Sequence, residues 1–329
     1  MISPGNDLFH DEPETADFMR KFIDGIENLT EKLPYPVLAI GNFDGVHLGH
    51  QAIFRKLVER AEKNNGTSVV FTFEPHPLRV TAPERAPQIL TPFKEKVELI
   101  KNSGIDVIIC ANFTKEFALI KAEDFVKEML FKTIGIKEVF IGSNYRFGRA
   151  RKGSPELLRE LGRECGFKVT VMEELKLHNV ILSSSRIRTL IAKGRVDEAS
   201  VCLGRHYSVL GIVIEGAKRG KRLLKIPTAN IAVFNELLPK DGVYAVTVNI
   251  GKRLYGGAAN IGCNPTFKDK RFSFEVHIFD FDGNLLGKNL RVNFIRRIRD
   301  EKKFSGAEEL ASQMKKDIEG IRQILEDSK

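Results

Sequence analysis

The sequence predicts two domains of different fold class: an α/β domain with a parallel sheet, then an antiparallel β-barrel with a C-terminal helix. From Val37 onward, short β-rich runs alternate with helical patterns, which is the rhythm of a parallel sheet. After about Leu203 such runs follow one another across Gly, Pro and Asn turns, as in an antiparallel barrel. The chain of 329 residues is also longer than most single cores. We therefore expect an acidic extension at residues 1–20, the α/β domain at 21–203 and the barrel at 204–329.

Each predicted strand of the α/β domain precedes a helical pattern or a turn. The strand runs are VLAIG, TSVVFTF, IDVIICANF, EVFIG and FKVTVM, and the helical patterns lie at residues 51–63, 93–102 and 122–133. A further helix begins after the N-cap Ser154 and ends at Gly166. Residues 189–203 predict a short helical connection to the barrel.

The barrel is predicted from five runs of alternating apolar residues, YSVLGIVIE, TANIAVF, GVYAVTVNI, RLYGGAANI and SFEVHIFDF. Ser305 and Glu308 form the pattern of a capping box before the last helix. One face of that helix then carries apolar residues at helical spacing: Leu310, Met314, Ile318, Ile321 and Leu325. This face is expected to pack against the barrel.

The composition indicates a soluble globular protein, with 42% hydrophobic and 29% charged residues. The apolar runs are far shorter than the ~20 residues that cross a bilayer. Residues 1–20 carry acids rather than the basic and apolar pattern of a signal peptide. We therefore expect a cytoplasmic protein without a membrane partner.

The four cysteines are widely separated, which favours neither a disulfide framework nor a zinc site.

The stretch Gly41–His50 carries the strongest chemical signal. It follows the apolar run Val37–Ile40 and opens a helical pattern. His47 and His50 are three residues apart between glycines, so both imidazoles can face one anion, to which N–H groups at the helix start also donate. A metal site is the other interpretation of this spacing, but no cysteine or second histidine pair nearby completes a ligand set. We predict a site for a nucleoside triphosphate.

Other groups suited to anions open a predicted helix or follow predicted strands. Those at the helix start are Ser183, Ser184, Ser185 and Arg188, and those after strands are His76, Asn144, Arg146 and Arg149. The helix start offers N–H donors to an anion. Arg188 offers a planar cation, although it could also be a surface arginine without a ligand. The ends of strands in open α/β sheets are where ligands bind.

Several motifs, in their order along the chain, resemble the motifs of known protein families. Gly41–His50 resembles the signature of the His-x-Gly-His nucleotidyltransferase superfamily, and with FTFEPHP (71–77), GSNYRFG (142–148) and LSSSRIR (182–188) it is similar to bacterial FAD synthetase modules. The later segments IPTAN (226–230), GVY (242–244), NIGCNPTF (260–267) and EVHIFDF (275–281) resemble riboflavin kinase. From about Phe22 onward the chain thus resembles the bifunctional riboflavin kinase and FAD synthetase family.

The resemblance implies a Rossmann-like nucleotidyltransferase domain that adenylylates FMN to FAD and releases pyrophosphate. His47 and His50 match residues that contact the ATP phosphates near the reacting phosphorus. Asn42 and Asp44 match residues that shape the turn. The other ATP and phosphate residues are expected to be His76, Ser183, Ser184, Ser185 and Arg188, and the FMN residues are expected to be Asn144, Arg146 and Arg149. The family usually has threonine at the position of Ser185, which keeps the hydroxyl.

The resemblance also implies a barrel that phosphorylates riboflavin to FMN with ATP and Mg²⁺. Glu275 is the candidate base, because strand alternation places it on the polar face of SFEVHIF, although a solvated glutamate is the plain alternative. Thr228 and Asn230 offer oxygen ligands to Mg²⁺, or they cap a turn. The family usually has glycines where this chain has Lys221 and Lys225. A Cβ there would hinder phosphate binding, unless the lysines themselves bind phosphate.

Two alternatives to a bifunctional enzyme stay open. One is an FMN adenylyltransferase whose kinase activity is weakened or lost through Lys221 and Lys225. The other is a flavin- or RNA-binding regulatory protein on an enzyme-derived scaffold, because the net charge of +9 is concentrated in residues 204–329. Such charge attracts RNA, ATP and flavin phosphates alike. We expect ATP, riboflavin and FMN as partners rather than nucleic acid, and the sequence indicates no oligomeric state.

Overall fold

The computed structural model describes residues 20–177, 180–215, 227–263 and 272–327. Internal contacts divide the chain into two compact units. The first unit comprises the residues up to Gly41 together with Ile53–Thr81 and Ile100–Met172. The second comprises Asn42–Ala52, Ala82–Leu99 and Glu173–Lys329. The turn with the two histidines, the helix after Ser183 and the barrel therefore lie in one unit, whereas the domain boundaries at residues 20 and 203 stay a prediction.

The first unit is built on a six-stranded sheet. Its strands are β1 (Lys21–Asp24), β2 (Pro36–Ile40), β3 (Thr67–Glu74), β4 (Val107–Asn112), β5 (Glu138–Gly142) and β6 (Lys168–Met172). They are ordered β1-β4-β3-β2-β5-β6, and every neighbouring pair is parallel, as predicted. All five residues of β2 are buried, which is typical of a parallel strand covered on both faces.

Helices connect these strands. In chain order they are α1 (Leu48–Lys63), α2 (Pro77–Thr81), α3 (Phe93–Asn102), α4 (Lys115–Ala118), α5 (Ala122–Asp124) with the π-helix Phe125–Ile134 directly after it, and α6 (Pro155–Cys165). Short 3₁₀ turns lie at Ile26–Asn28, Pro83–Arg85 and Arg149–Arg151. Ser154 caps α6 by accepting a hydrogen bond from Leu157 N, and Gly166 ends it in the left-handed conformation, as predicted.

The strand order reverses at β2. The sheet continues through β3 and β4 on one side of β2 and through β5 and β6 on the other. The switch point of this α/β sheet is therefore between the carboxyl ends of β2 and β5, which is where ligands bind in such folds. His76 follows β3 and Asn144 follows β5, so both lie at this carboxyl edge.

The second unit contains the predicted antiparallel barrel. Before it come the strands β7 (Lys176–Leu177) and β8 (Val180–Ile181) and the helices α7 (Ser184–Ala192) and α8 (Val196–Leu203). The barrel strands are β9 (Tyr207–Ile214), β10 (Ala229–Val233), β11 (Gly242–Ile250), β12 (Arg253–Cys263), β13 (Phe272–Ile278) and β14 (Asn289–Arg299). They close in the order β10-β13-β12-β11-β14-β9, and all the pairs are antiparallel. Val246, Val276 and Phe294 belong to the buried barrel core.

The last helix, α9 (Ala307–Glu326), packs on the barrel with the predicted apolar face. Ile321 is fully buried against a small cluster that includes Val243 and Phe279. Arg299 of β14 forms a 2.7 Å ion pair with the buried Asp317 of the helix. The capping box with Glu308 is wrong: Gly306 is the N-cap, and Ser305 N and Oγ both donate to Glu309 at 2.9 and 2.7 Å.

Candidate functional site

The turn that carries the two histidines has an unusual backbone. Phe43, Gly45 and Val46 all have positive φ, at 49°, 85° and 40°. A β-branched residue such as Val46 is a true outlier there, because its Cβ crowds the backbone. A non-glycine residue in this conformation, such as Phe43 or Val46, costs of order 1–3 kcal/mol and persists only where the surroundings hold it. The turn is therefore a strained element whose conformation depends on neighbouring groups.

His47 and His50 stack on each other at the start of α1. Their ring centroids are 3.6 Å apart and the ring planes differ by 22°, while Phe43 packs edge-on against His50 at 5.2 Å. His47 Nδ1 accepts a hydrogen bond from Gly49 N at 3.2 Å, so the neutral ring carries its proton on Nε2. His50 Nδ1 is buried and has no hydrogen-bond partner within the described residues. A buried nitrogen of this kind calls for an explanation, such as a catalytic role or a bound water or ion.

The surroundings keep both imidazoles neutral. Burial and, to a smaller extent, the positive charge of Arg205 together lower the pKa of His47 to about 4. Burial also lowers the pKa of His50 well below its ordinary value, with a smaller contribution from His47. At neutral pH the pair therefore offers uncharged N–H donors rather than cations.

These pKa values predict a pH-dependent stability. In the unfolded chain a histidine binds a proton near pH 6.5, whereas folded His47 does so near pH 4. Between these values the unfolded state binds more protons, so the unfolding free energy falls as the pH drops, by an amount on the order of 3 kcal/mol for His47. We expect denaturant titrations to show a smaller loss of stability on acidification in the double variant His47→Gln, His50→Gln than in the wild type. Equal losses would contradict the assignment.

Asp44 anchors the turn to other parts of the second unit. Its buried carboxylate accepts hydrogen bonds from the backbone N–H groups of Leu90 and Thr91 at 3.1 and 3.2 Å. It also accepts a 2.6 Å bond from Arg188 Nη2, whose Nε donates to the Gln88 carbonyl. The structure thus brings Asp44 and Arg188 together, with Arg188 oriented by two partners. The same arrangement makes Asp44 a structural anchor rather than a direct ligand of an anion.

The serine segment lies against the same turn. Ser183 is the N-cap of α7 and accepts a hydrogen bond from Arg186 N at 3.3 Å. Ser184 Oγ donates to the Asp44 carbonyl at 2.9 Å, whereas Ser185 is exposed. The start of α7 is therefore attached to the histidine turn, and its N–H groups add donors of the kind that bind anions.

Sequence reasoning missed three residues that hold this turn. Arg205 donates to the carbonyls of Gly45 and Val46 at 2.8 and 3.4 Å, and Gln51 donates to that of Val46 at 2.8 Å. The buried Lys96 reaches the carbonyl of Asn42 at 3.5 Å. No motif marks these residues. The only signal for Arg205 in the sequence is its place just after the glycine that ends α8.

The remaining residues predicted to bind phosphate or FMN lie in the first unit, at the carboxyl edge of its sheet. His76 is half-buried, and its Nδ1 accepts a 3.2 Å hydrogen bond from Leu78 N. Asn144, Arg146 and Arg149 are exposed in the loop after β5. Tyr145 and Phe147 stack within that loop at 5.7 Å, so two rings order the segment from which Arg146 projects. Exposed arginines beside stacked rings suit an anionic aromatic ligand.

The barrel brings together the residues predicted for a second site. Glu275 on β13 lies directly opposite Asn230 of β10 and Asn260 of β12, so the three side chains share one face. Thr228 Oγ1 donates to Glu275 Oε2 at 3.3 Å. Phe274 and Val276 point into the core, whereas Glu275 is half-buried on the other face, as the alternation predicts. Lys221 and Lys225 lie outside the described residues.

Two further groups border this face. Asn260 hydrogen-bonds Glu301 beyond β14. Glu301 also lies close to Gly262, since an added Cβ at this glycine would be 1.7 Å from Glu301 Oε1 and would displace the carboxylate. His277 Nδ1 lies 2.8 Å from the carbonyl of Pro227, which ties the start of β10 to β13. Glu301 was not predicted, because nothing in its local pattern distinguishes it from a surface glutamate.

The part of the chain that the structure describes was searched for metal-binding groups and for membrane-spanning helices. It contains no group of three or more His, Cys, Asp or Glu side chains placed to hold a metal ion. Thr228, Asn230 and Glu275 offer oxygen donors close together, which fits a hard cation that keeps several waters. None of the described helices is long and apolar enough to cross a membrane.

Comparisons with known proteins match both parts of the chain. Residues 30–186 match the family model for FAD synthetase, and residues 203–325 match that for riboflavin kinase. A bifunctional riboflavin kinase/FMN adenylyltransferase of Buchnera aphidicola subsp. Acyrthosiphon pisum is 37% identical over 301 residues, which cover 91% of this chain and 96% of the relative. The enzyme of that name from Escherichia coli (strain K12) is 36% identical over 299 residues, covering 90% and 95%.

A solved structure matches over nearly the whole chain. It is described as a macrolide-efflux protein from Streptococcus pneumoniae, is 30% identical, and superposes with a TM-score of 0.83. The match covers 93% of this chain and 99% of that one. The two proteins therefore share their fold in both parts.

Proposed function

The chain belongs to the family of bifunctional riboflavin kinase/FMN adenylyltransferases, and from this premise we propose which residues perform each of its two reactions. The protein is a transferase that phosphorylates riboflavin to FMN and adenylylates FMN to FAD. The observation that carries the assignment is the presence of two separate polar clusters, one around His47 and His50 and one around Glu275. Each has the chemistry that one reaction requires.

The histidine turn is the site of adenylyl transfer. An oxygen of the FMN phosphate attacks the α-phosphorus of ATP, and the bond from that phosphorus to the bridging oxygen of pyrophosphate breaks. The protein mainly positions the phosphates and stabilises the charge that spreads over them. Neutral His47 and His50 donate N–H groups to the phosphate oxygens, and a ligand oxygen near His50 supplies the partner that its buried ring lacks. Arg188, fixed by Asp44, presents its remaining N–H groups to the outer phosphates.

The residues that we assign to FMN recognition lie in the first unit. They are Asn144, Arg146 and Arg149, because an arginine pairs with the FMN phosphate and the stacked rings of Tyr145 and Phe147 keep their loop ordered. His76 and the serines of α7 are each assigned to phosphate binding. The position of the loop after β5, at the switch point of the sheet, supports this assignment.

The polar face around Glu275 is the site of riboflavin phosphorylation. The ribityl hydroxyl oxygen attacks the γ-phosphorus of ATP, the bond to the bridging oxygen of ADP breaks, and the hydroxyl proton moves to the Glu275 carboxylate. The hydrogen bond from Thr228 and the neighbouring amides of Asn230 and Asn260 orient this carboxylate. Bound Mg²⁺ would neutralise charge on the ATP oxygens, held by the oxygens of Thr228 and Asn230.

The magnesium assignment predicts a selective effect of Thr228→Val, which removes one oxygen ligand and keeps the shape. We expect the Mg²⁺ concentration that half-saturates FMN formation to rise by roughly tenfold, the loss of about one weak ligand or hydrogen bond. The Mg²⁺ dependence of FAD formation from FMN should not change. Thr189→Val, at an exposed position of α7, is the matched control. An unchanged Mg²⁺ requirement in Thr228→Val would remove Thr228 from the metal site.

Product analysis by chromatography tests the proposed function. The purified protein is incubated with ATP and Mg²⁺, first with riboflavin and then with FMN. We expect FMN and FAD from riboflavin, and FAD from FMN. FAD from FMN alone would favour an adenylyltransferase with a lost kinase, the alternative raised by Lys221 and Lys225. Turnover of neither flavin would contradict the proposal, and salt-sensitive RNA binding would then favour a regulatory protein. A cytoplasmic location is part of the proposal, and cell fractionation tests it.

A further inference from the structure

We propose that Arg205, a residue of the segment matched to riboflavin kinase, is a positioning residue for adenylyl transfer that holds the histidine turn in its strained conformation. The inference rests on the proposed function of that turn. Arg205 lies outside the segment matched to FAD synthetase, residues 30–186, and directly before the first barrel strand. One residue of the kinase segment would therefore serve the other reaction.

Hydrogen bonds from other segments hold the histidine turn. Three successive carbonyls are held from outside it: that of Asp44 by Ser184, that of Gly45 by Arg205, and that of Val46 by Arg205 and Gln51. In a trans peptide the C=O and the following N–H point in opposite directions. Fixing the carbonyl of Val46 therefore also fixes the direction of the His47 N–H at the start of α1.

The backbone that Arg205 binds is strained at Val46. Gly45 and Val46, the two residues whose carbonyls Arg205 binds, both have positive φ. Val46 is nearly fully buried and β-branched, so its conformation needs external support. The two-pronged guanidinium binds both carbonyls at once, which a lysine ammonium cannot do with the same geometry. Loss of Arg205 would let the turn relax and move the imidazoles away from the phosphates.

A buried carboxylate near Arg205 partly offsets the cost of burying its charge. Burial lowers the pKa of Arg205, and the negative charge of Glu95, a buried residue in the first turn of α3, opposes this effect. Glu95 itself is held by Arg291 of β14 and by Ser208 Oγ of β9, the latter at 3.1 Å. The half-buried Arg205 thus has two carbonyl acceptors in the histidine turn and a negative charge in its surroundings.

The variants Arg205→Ala and Arg205→Lys test the proposal in the full-length protein. In Arg205→Ala we expect kcat for FAD formation to fall by about 10- to 100-fold, because small displacements of positioning groups have effects of this size. The KM for FMN and the rate of FMN formation should stay close to those of the wild type. Arg205→Lys keeps the charge but reaches one carbonyl, so it should recover part of the loss.

A spectroscopic readout separates positioning from general stability. The titration of His47, followed by NMR of labelled histidine, should move to higher pH in Arg205→Ala and stay near the wild-type value in Arg205→Lys, because only the first variant removes the nearby charge. The matched control is Arg253→Ala, which removes an exposed arginine of the same barrel.

Two results would overturn the inference. One is wild-type FAD formation in Arg205→Ala. The other is an equal loss of FAD and FMN formation in that variant, which would indicate a role in folding alone. Failure of the proposed function itself would look different, because the unmodified protein would then form no FAD from FMN.

Discussion

His50→Ala should abolish most FAD formation and leave FMN formation intact. The imidazole of His50 stacks on His47, and its buried Nδ1 has no partner within the described residues. The substitution removes one neutral donor to the phosphates and the ring that supports His47. Loss of one such preorganised donor typically lowers kcat by roughly 10²- to 10³-fold. We expect a decrease of this size when FAD production from FMN and ATP is measured by chromatography, with riboflavin phosphorylation as the internal reference.

His206→Ala is the control for this prediction. His206 is an exposed histidine of the same unit and has no part in the proposed sites. Its replacement should change neither rate. Equal loss of both activities in His50→Ala would contradict separate sites, and unchanged FAD formation would remove His50 from the phosphate contacts.

Glu275→Gln should have the converse effect. The carboxylate lies between Asn230 and Asn260 and accepts a hydrogen bond from Thr228. An amide keeps the shape of the side chain but cannot take the proton of the ribityl hydroxyl. A general base contributes roughly 10²- to 10⁴-fold, so FMN formation from riboflavin should fall by about 10²-fold or more. FAD formation from added FMN should not change.

The control for Glu275→Gln is Glu319→Gln on the exposed side of α9. It removes a carboxylate from the same unit without touching the barrel face. A wild-type rate of FMN formation in Glu275→Gln would show that another group accepts the proton. In that event Glu301, which bonds Asn260, would be the next residue to replace.

Much of the fold was predictable because its patterns are local. The buried runs of β2 and β3 and the alternation in β13 depend on neighbouring residues only. Four strands were missed. The strands β7 and β8 are two residues long each, which is too short for a recognisable pattern. β1 is four residues long and pairs only with β4 at the sheet edge, so its short run carries little pattern. The run Asn289–Arg299 contains four arginines, and their charges obscure the alternation of Leu290, Val292 and Phe294 toward the core.

The candidate site was predictable only in part. His47 and His50 are close in sequence and share a turn, so a motif reveals them. The groups that hold the turn come from elsewhere: Arg205 is 160 positions from Gly45, and Arg188 is 144 positions from Asp44. Such pairs form only when the chain folds, and a lone arginine carries no local mark of its partner. Arg188 belongs to a motif that resembles a known family, whereas Arg205 belongs to no such motif.

In the proposed function, one chain carries two independent sites, one at His47 and His50 and one at Glu275. The most direct test mixes the purified His50→Ala and Glu275→Gln proteins with riboflavin, ATP and Mg²⁺. Each variant alone should form little FAD from riboflavin, whereas the mixture should form it, because FMN released by the first variant is a substrate for the second. No FAD from the mixture, while His50→Ala still forms FMN and Glu275→Gln still converts added FMN, would contradict two sites linked by free FMN.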